Sequence, residues 1–253
     1  MRNLSLGILG GGRVAWAYGS AWRRAGQQLS GVWLREQSTS ALPELLETER
    51  VELPALAAKS DVLLVAVSDR AIVEVASLIP ATSAVVIHAS GALASIRGGF
   101  SLHPLKSLPP VGQESDLAGT LLVFEGAHRQ MAQEIAAMCG ARFAEVAAES
   151  KPLYHAAAVF GSNYVAAMLD VAEQLMREAG VEDVRADLVR LAESAIANWI
   201  GHSDARRFTG PAIRGDHDVM ARHLAALATD SERAEIYRLL AAQIAGSNLA
   251  TGK

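Results

Sequence analysis

Leu4-Ser5-Leu6-Gly7-Ile8-Leu9-Gly10-Gly11-Gly12-Arg13-Val14-Ala15 is the stretch that decides the fold of this chain. An apolar run of strand length meets consecutive glycines, and a helical pattern follows. The spacing Gly10-x-Gly12-x-x-Ala15 has the form of a dinucleotide-binding turn, with alanine in the last small position. Each position has a physical reason. Gly10 permits the sharp exit from the strand. Gly12 lacks a Cβ, so a pyrophosphate can approach the backbone, and Ala15 lets the helix pack closely on the strand. The first N–H groups of that helix, at Arg13 and Val14, have no intrahelical acceptor and face the anion.

Outward from the turn, the second strand pattern runs Leu29-Ser30-Gly31-Val32-Trp33-Leu34 and ends at Arg35. A site for NAD usually carries Asp or Glu about 20 residues on, against the ribose. A guanidinium at Arg35 suits a ribose 2′-phosphate instead, so the spacing favours NADP over NAD. Glu36 follows directly and offers the alternative, a carboxylate on a 2′-hydroxyl.

Strand and helix patterns alternate through residue 148. Ser40 to Glu49 reads as helical and Val51 to Leu53 as a short strand. Asp61 to Val67 is apolar throughout, as a strand buried on both faces requires. Val67 and Ser68 end it beside the expected cofactor, and Asp69 is placed to cap a helix over Arg70–Leu78. Ala84 to His88 forms the next strand, closing on Ser90-Gly91. Thr120 to Phe124 and Arg142 to Val146 follow, with a helix between them. This alternation predicts an α/β domain with a doubly wound parallel sheet over residues 1–148.

After Ala148 the period changes and no strand pattern remains. Leu153 to Glu178 reads as one long helix, followed by helices over Asp183–Trp199, Asp216–Ala228 and Ser231–Ala245. Residues 149–253 therefore read as an all-α domain whose alanine-rich apolar faces suit packing in a homodimer.

The bulk properties exclude several classes. The chain has 253 residues, 51% of them hydrophobic, with a formal charge of −4 and a sequence pI of about 6.0. That balance leaves no electrostatic footprint for nucleic acid. No apolar run reaches membrane-span length, and no signal-peptide pattern is present. One cysteine, Cys139, rules out an internal disulfide framework and any multi-cysteine metal site. The expectation is a cytoplasmic protein without a metal.

Three groups of residues carry possible chemistry. The first lies at the expected carboxyl edge of the sheet: Ser68, His88, Ser90 and, within Ser101-Leu102-His103-Pro104-Leu105-Lys106-Ser107, His103 and Lys106. His88 reads equally well as a satisfied strand-end histidine. The second is on the long helix, where His155, Ser162 and Asn163 stand at i, i+7 and i+8 and so share a face. They form either a polar seam between helices or a substrate site. The third is Thr209-Gly210-Pro211-Ala212-Ile213-Arg214-Gly215-Asp216. There Arg214 can clamp a substrate anion or pair with Asp216 or Asp218, and Asp216 can cap the next helix.

These motifs occur in an order that resembles a bacterial family. It joins a Rossmann-like domain to a domain of unknown function and is grouped with the phosphogluconate dehydrogenase, hydroxyisobutyrate dehydrogenase and pyrroline-carboxylate reductase superfamily. The resemblance rests on the N-terminal turn, Ser101–Leu105, His155…Ser162-Asn163-Tyr164, and Thr209-Gly210-Pro211…Arg214-Gly215-Asp216…His223-Leu224. It implies NADP binding, a helical C-terminal domain and a dimer built through it. One feature does not carry over. Hydroxyacid dehydrogenases of that superfamily place a catalytic lysine a turn before an asparagine, whereas Val159 precedes Asn163 here and Lys151 lies at the start of the helix.

The reading is an NADP-dependent oxidoreductase that moves hydride between nicotinamide and a small carbonyl, hydroxyl or imine carbon. Gly10, Gly12, Arg13, Val14, Arg35, Val67, Ser68 and Ser90 hold the cofactor. His155 is the acid/base, Asn163 orients, and Arg214 holds an anionic substituent. The alternative is a non-catalytic NADP sensor or interaction protein using the same pocket.

Overall fold

The computed structural model describes residues 3–249. Contacts divide the chain into two compact units, residues up to Tyr164 and residues from Val165.

The first unit is built on one sheet. Its strands are β1 (Ser5–Leu9), β2 (Gln28–Trp33), β3 (Val62–Val65), β4 (Val85–His88), β5 (Phe100–Pro104), β6 (Leu121–Gly126) and β7 (Arg142–Glu145), in the spatial order β2-β1-β3-β4-β5-β6-β7. Pairing is parallel from β2 through β5, antiparallel between β5 and β6, and parallel again between β6 and β7. The α/β class is as expected, but the sheet is not parallel throughout. The reason lies in the connection. A parallel return needs a crossover, usually a helix, and residues 105–120 contain none. The Leu105 N–H donates to the Leu121 carbonyl, so β6 starts from the edge where β5 ends and must run back.

Alternation along the strands sorts the core into two layers. Leu6, Ile8, Val62 and Leu64 join Ala15, Tyr18 and Trp22 of α1 (Arg13–Arg24) and Ile135 of α5 (Arg129–Met138). Leu9, Leu63 and Val65 join Leu56 of α3 (Leu53–Lys59) and Ile72 and Val75 of α4 (Asp69–Ser77). Helices therefore cover both faces, as a doubly wound sheet requires. Ala15 is fully buried, as the close helix–strand contact demands.

Several element boundaries differ from the sequence reading. The helix expected over residues 40–49 shrinks to α2 (Leu42–Leu45), and Leu53 opens α3 instead of ending a strand. Pro54 in its first turn suits a helix start. Ser68, not Asp69, occupies the N-cap of α4, and the Asp69 side chain turns to Ser90. His103 lies in strand β5, which is not among the strands read from the sequence. Pro104 closes that strand, so its missing N–H is tolerated there.

The long helix is also two helices, α6 (Lys151–Phe160) and α7 (Asn163–Glu178). At the junction the Ser162 hydroxyl donates to the Ala158 carbonyl at 2.7 Å, a back-bond that competes with the helical ladder. The second unit continues with α8 (Arg185–Gly201), α9 (Pro211–Arg214), α10 (His217–Ala226) and α11 (Ser231–Leu249). Asp216 holds the N-cap position of α10 without a capping bond, because its carboxylate accepts from Arg214. Among the described residues no helix is long and apolar enough to cross a membrane.

Candidate active site

The carboxyl ends of β1, β3, β4 and β5 lie along one edge of the sheet, and the strand order reverses between β1 and β3. Such a reversal is where α/β sheets bind ligands. Gly10 leaves β1 at φ +119°, and a Cβ on it would meet the Ala66 carbonyl oxygen at 2.3 Å. Only glycine makes that exit. A Cβ on Gly12 would meet nothing within 4 Å, so the approach to the start of α1 is open. Gly12 is the N-cap of α1 and has no side chain to satisfy the N–H groups of Arg13 and Val14. An open, donor-rich helix start of this kind fits a pyrophosphate.

Beside it is a cavity of about 200 Å³ lined by Gly10, Gly11, Trp33, Leu34, Arg35, Ser38, Val67, Ser68 and Ala71. Arg35, Val67 and Ser68 meet here from separate strand ends. Glu36, the alternative ribose contact, does not line it. The Arg35 guanidinium is 3.7 Å from Glu74 with both side chains exposed. Arg50 donates to the carbonyls of Leu34 and Arg35 and fixes that loop from behind. The Arg13 side chain reaches the Leu108 carbonyl.

Further along the same edge, the segment after β4 is pinned from within. His88 is fully buried. Its Nδ1 accepts the Ser90 N–H at 3.2 Å and its Nε2 lies 3.0 Å from the Ala94 carbonyl oxygen. Burial lowers its pKa, and both ring nitrogens are used, so His88 is a satisfied structural histidine. The Ser90 hydroxyl donates to Asp69 at 2.8 Å and accepts from the N–H groups of Ala92 and Leu93. That hydroxyl is fully committed inside the protein.

Two imidazoles converge on Gly91, and a phenol packs on one of them. A Cβ there would lie 2.6 Å from Cδ2 of His155 and 3.1 Å from Nε2 of His103, so the absence of a side chain admits both imidazoles. The His103 and His155 rings meet edge-on at 5.8 Å between centroids, and those of His103 and Tyr154 at 5.6 Å. His103 Nδ1 is 2.6 Å from the Tyr154 hydroxyl oxygen. Burial, reinforced by positive charge on His155 and Lys151, pushes the His103 pKa down to about 4, against a smaller opposing pull from Asp69. Burial pushes the Tyr154 hydroxyl up to about 12. At neutral pH the pair is therefore an uncharged imidazole and an uncharged phenol.

Below the rings, Lys151 anchors the start of α6. Its side chain is 1% exposed, and its Nζ donates to the Ser101 hydroxyl and, at 3.2 Å, to the Ser90 carbonyl. It lies 3.7 Å from the Glu125 carboxylate, which also accepts from the Ser95 N–H and hydroxyl. Burial lowers the Lys151 pKa while Glu125 opposes the shift. The ammonium ties α6 to β5, β6 and the Ser90 turn, and so sets where Tyr154 and His155 sit.

Of the residues singled out from the sequence, the structure brings His155 and His103 together; Tyr154, Ser101, Lys151 and Glu125 beside them were not proposed there as site residues. Glu125 carried a usable signal. A lone carboxylate inside the apolar strand Leu121–Gly126 needs a buried cationic partner. The shared face of His155, Ser162 and Asn163 is interrupted by the break between α6 and α7. Ser162 and Asn163 are exposed and hydrogen-bond to each other at 3.0 Å. Lys106 is exposed and donates to the Asp116 carbonyl. In the second unit, Arg214 is bound to Asp216 at 2.8 Å, the salt-bridge alternative, and lines a cavity of about 390 Å³ with His217 and Met220. Among the described residues no group of three or more His, Cys, Asp or Glu side chains is arranged to hold a metal ion.

Fold and glycine turn together define a Rossmann-type α/β protein with an N-terminal site shaped for a dinucleotide and a helical C-terminal region. A Rossmann-like domain model matches residues 1–106, and a model of the domain of unknown function DUF2520 matches residues 121–244. The chain belongs to the family that joins these two domains. A comparison with curated proteins gave no match.

Among solved structures, the chain is similar to a provisionally assigned NADP oxidoreductase from Bacteroides fragilis. The two are 21% identical, with 96% of this chain and 98% of that one covered and a TM-score of 0.79. A reductive aminase from Aspergillus terreus in complex with NADPH and ethyl levulinate is 20% identical over 89% of this chain and 78% of that one, with a TM-score of 0.60. A pyrroline carboxylate reductase from Plasmodium falciparum with NADP bound is 14% identical over 97% and 100%, with a TM-score of 0.58. At these identities the likeness establishes the fold.

Proposed function

We propose that the protein is an NADP-dependent oxidoreductase acting on a small, anionic carbonyl, hydroxyl or imine compound. The observation that carries this reading is the convergence of His103 and His155 on Gly91, with Tyr154 bonded to His103, on the sheet edge that also bears the dinucleotide turn. A purely nucleotide-binding module has no use for a cluster of hydrogen-bonding rings there. Similar structures hold NADP or NADPH, which supports the choice of cofactor.

In this reading Gly10, Gly12 and the N–H groups of Arg13 and Val14 receive the pyrophosphate. Arg35 receives the 2′-phosphate, Val67 and Ser68 form the wall of the site, and Ser90, its polar groups bound within the protein, shapes the turn beside it. Bound there, the nicotinamide supplies or accepts hydride. His155, half-buried at the ring cluster, exchanges the accompanying proton. Asn163 orients the substrate; Arg214, were its pairing with Asp216 exchanged, would bind an anionic group within the second unit. Residues 1–148 form the cofactor domain, residues 149–253 the helical domain that pairs two copies of the chain, and the location is cytoplasmic.

Calorimetric titration with NADPH, followed by turnover assays on small aldehydes, ketones and cyclic imines, tests the reading. We expect NADPH to bind and at least one compound to be reduced. His155→Gln should lower kcat by about 10²–10⁴-fold with unchanged NADPH affinity. Binding without turnover of any compound would support the sensor instead.

A further inference from the structure

We propose that His103 also touches the substrate: its Nε2–H donates a hydrogen bond to the reacting oxygen of a carbonyl compound, and Tyr154 is the positioning residue that fixes the imidazole tautomer. This deepens the oxidoreductase reading and rests on it, by naming oxygen as the atom at the reacting carbon.

The argument starts from the 2.6 Å contact between His103 Nδ1 and the Tyr154 hydroxyl. Hydrogen bonds donated by a ring N–H to oxygen span about 2.7–3.2 Å, while those donated by a hydroxyl are shorter. A contact this short fits a hydroxyl donor better than a ring N–H donor, so the phenol is taken as donor and Nδ1 as acceptor. A neutral imidazole that accepts at one nitrogen carries its proton on the other. His103 therefore presents Nε2–H, on the ring edge turned toward Gly91. Among the described residues that group has no protein acceptor, although the ring is mostly buried. A desolvated donor without a partner is suited to an oxygen that gains charge during reaction.

The donor selects the substrate class. A carbonyl oxygen offers lone pairs to Nε2–H. A reactive iminium nitrogen carries a proton and no lone pair, so it gains nothing from this group. In the reducing direction, the carbonyl carbon gains hydride from the reduced nicotinamide and a C–H bond forms. The C=O π pair moves onto oxygen, held by His103, and oxygen takes a proton from His155. The carbonyl compound is reduced to an alcohol, the nicotinamide is oxidised, and His155 is reprotonated from solvent.

Nitrogen-resolved NMR of the full-length protein labelled at histidine reads the tautomer without any substrate. We expect His103 in a single Nε2–H form that does not titrate between pH 6 and 8, and a mixed form in Tyr154→Phe. With NADPH and the same panel, we expect aldehydes or ketones to be reduced in preference to cyclic imines. His103→Ala should lower kcat about 10²-fold with unchanged NADPH affinity. His103→Gln, which keeps an N–H donor, should recover part of that loss, and Tyr154→Phe should lose less than His103→Ala. An Nδ1–H tautomer overturns the proposal, as does full turnover in His103→Ala. Preference for cyclic imines overturns the substrate class while leaving the oxidoreductase reading intact. NADPH binding without any turnover overturns both the oxidoreductase reading and the catalytic role of His103.

Discussion

Arg35 stands at the rim of the 200 Å³ cavity, its guanidinium in a 3.7 Å ion pair with Glu74. Exposed pairs of that kind contribute little, so a ribose phosphate competes for the guanidinium at small cost. Arg35→Ala should weaken NADPH binding by about 1–3 kcal/mol and NADH binding far less, measured by calorimetry. Equal loss for both cofactors would transfer the ribose contact to Glu36. His103 makes a different prediction, on stability. Its folded-state pKa of about 4 lies below the ordinary 6.5, so between these values the unfolded chain binds more protons. Stability from this group is complete above pH 6.5 and is lost as the pH falls toward 4, by roughly 2–3 kcal/mol. Denaturant unfolding of His103→Gln should show a shallower acid loss over that window. His88, also lowered by burial, keeps part of the slope in the variant.

At the scale of elements, the start of α6 is held by a buried ion pair, and the energetics of such pairs are asymmetric. Removing one partner strands the other charge without water. Lys151→Met alone should therefore cost about 3–5 kcal/mol, with a similar loss for Glu125→Met alone. The double variant should recover most of the loss, because two apolar side chains leave no orphan charge. Chemical denaturation of the three variants gives the coupling directly, and additive losses would mean that Lys151 and Glu125 act separately.

The same elements show what a sequence can disclose. The turn after β1 was legible because Gly10 and Gly12 act through local backbone geometry. The buried strand β3 was legible because all four of its side chains are apolar. Strand β5 was hidden because its His103 and Pro104 look like loop residues. Its pairing with β4 and β6 makes it a strand. Lys151, beside Pro152, looked like an ordinary exposed helix start. Its burial follows from Glu125, Ser90 and Ser101, which stand far from it in sequence, and long-range pairing leaves no local pattern.

At the scale of the whole molecule, the two units differ in what they bury. The first encloses two apolar layers, whereas from residue 165 onward the buried apolar side chains among the described residues are Leu188 and Ala234. Meanwhile Leu191 is 63% exposed, Trp199 62%, Ile200 74% and Leu239 63%. Side chains of this size gain about 1.5–3 kcal/mol each when fully removed from water, and large exposed apolar patches mark interfaces. The small buried core of this unit is what supports the proposed pairing with a second copy, since a two-fold contact presents the same patch twice. Light scattering at micromolar concentration should therefore give about twice the 26.7 kDa chain mass. Replacing Trp199 and Ile200 on α8 by glutamate should shift the mass toward the monomer and lower the unfolding midpoint, because the interface and the unit's stability are then one quantity. A wild-type chain that stays monomeric at these concentrations, with an unfolding midpoint independent of protein concentration, would refute the dimer and leave the apolar face of α8 to another partner.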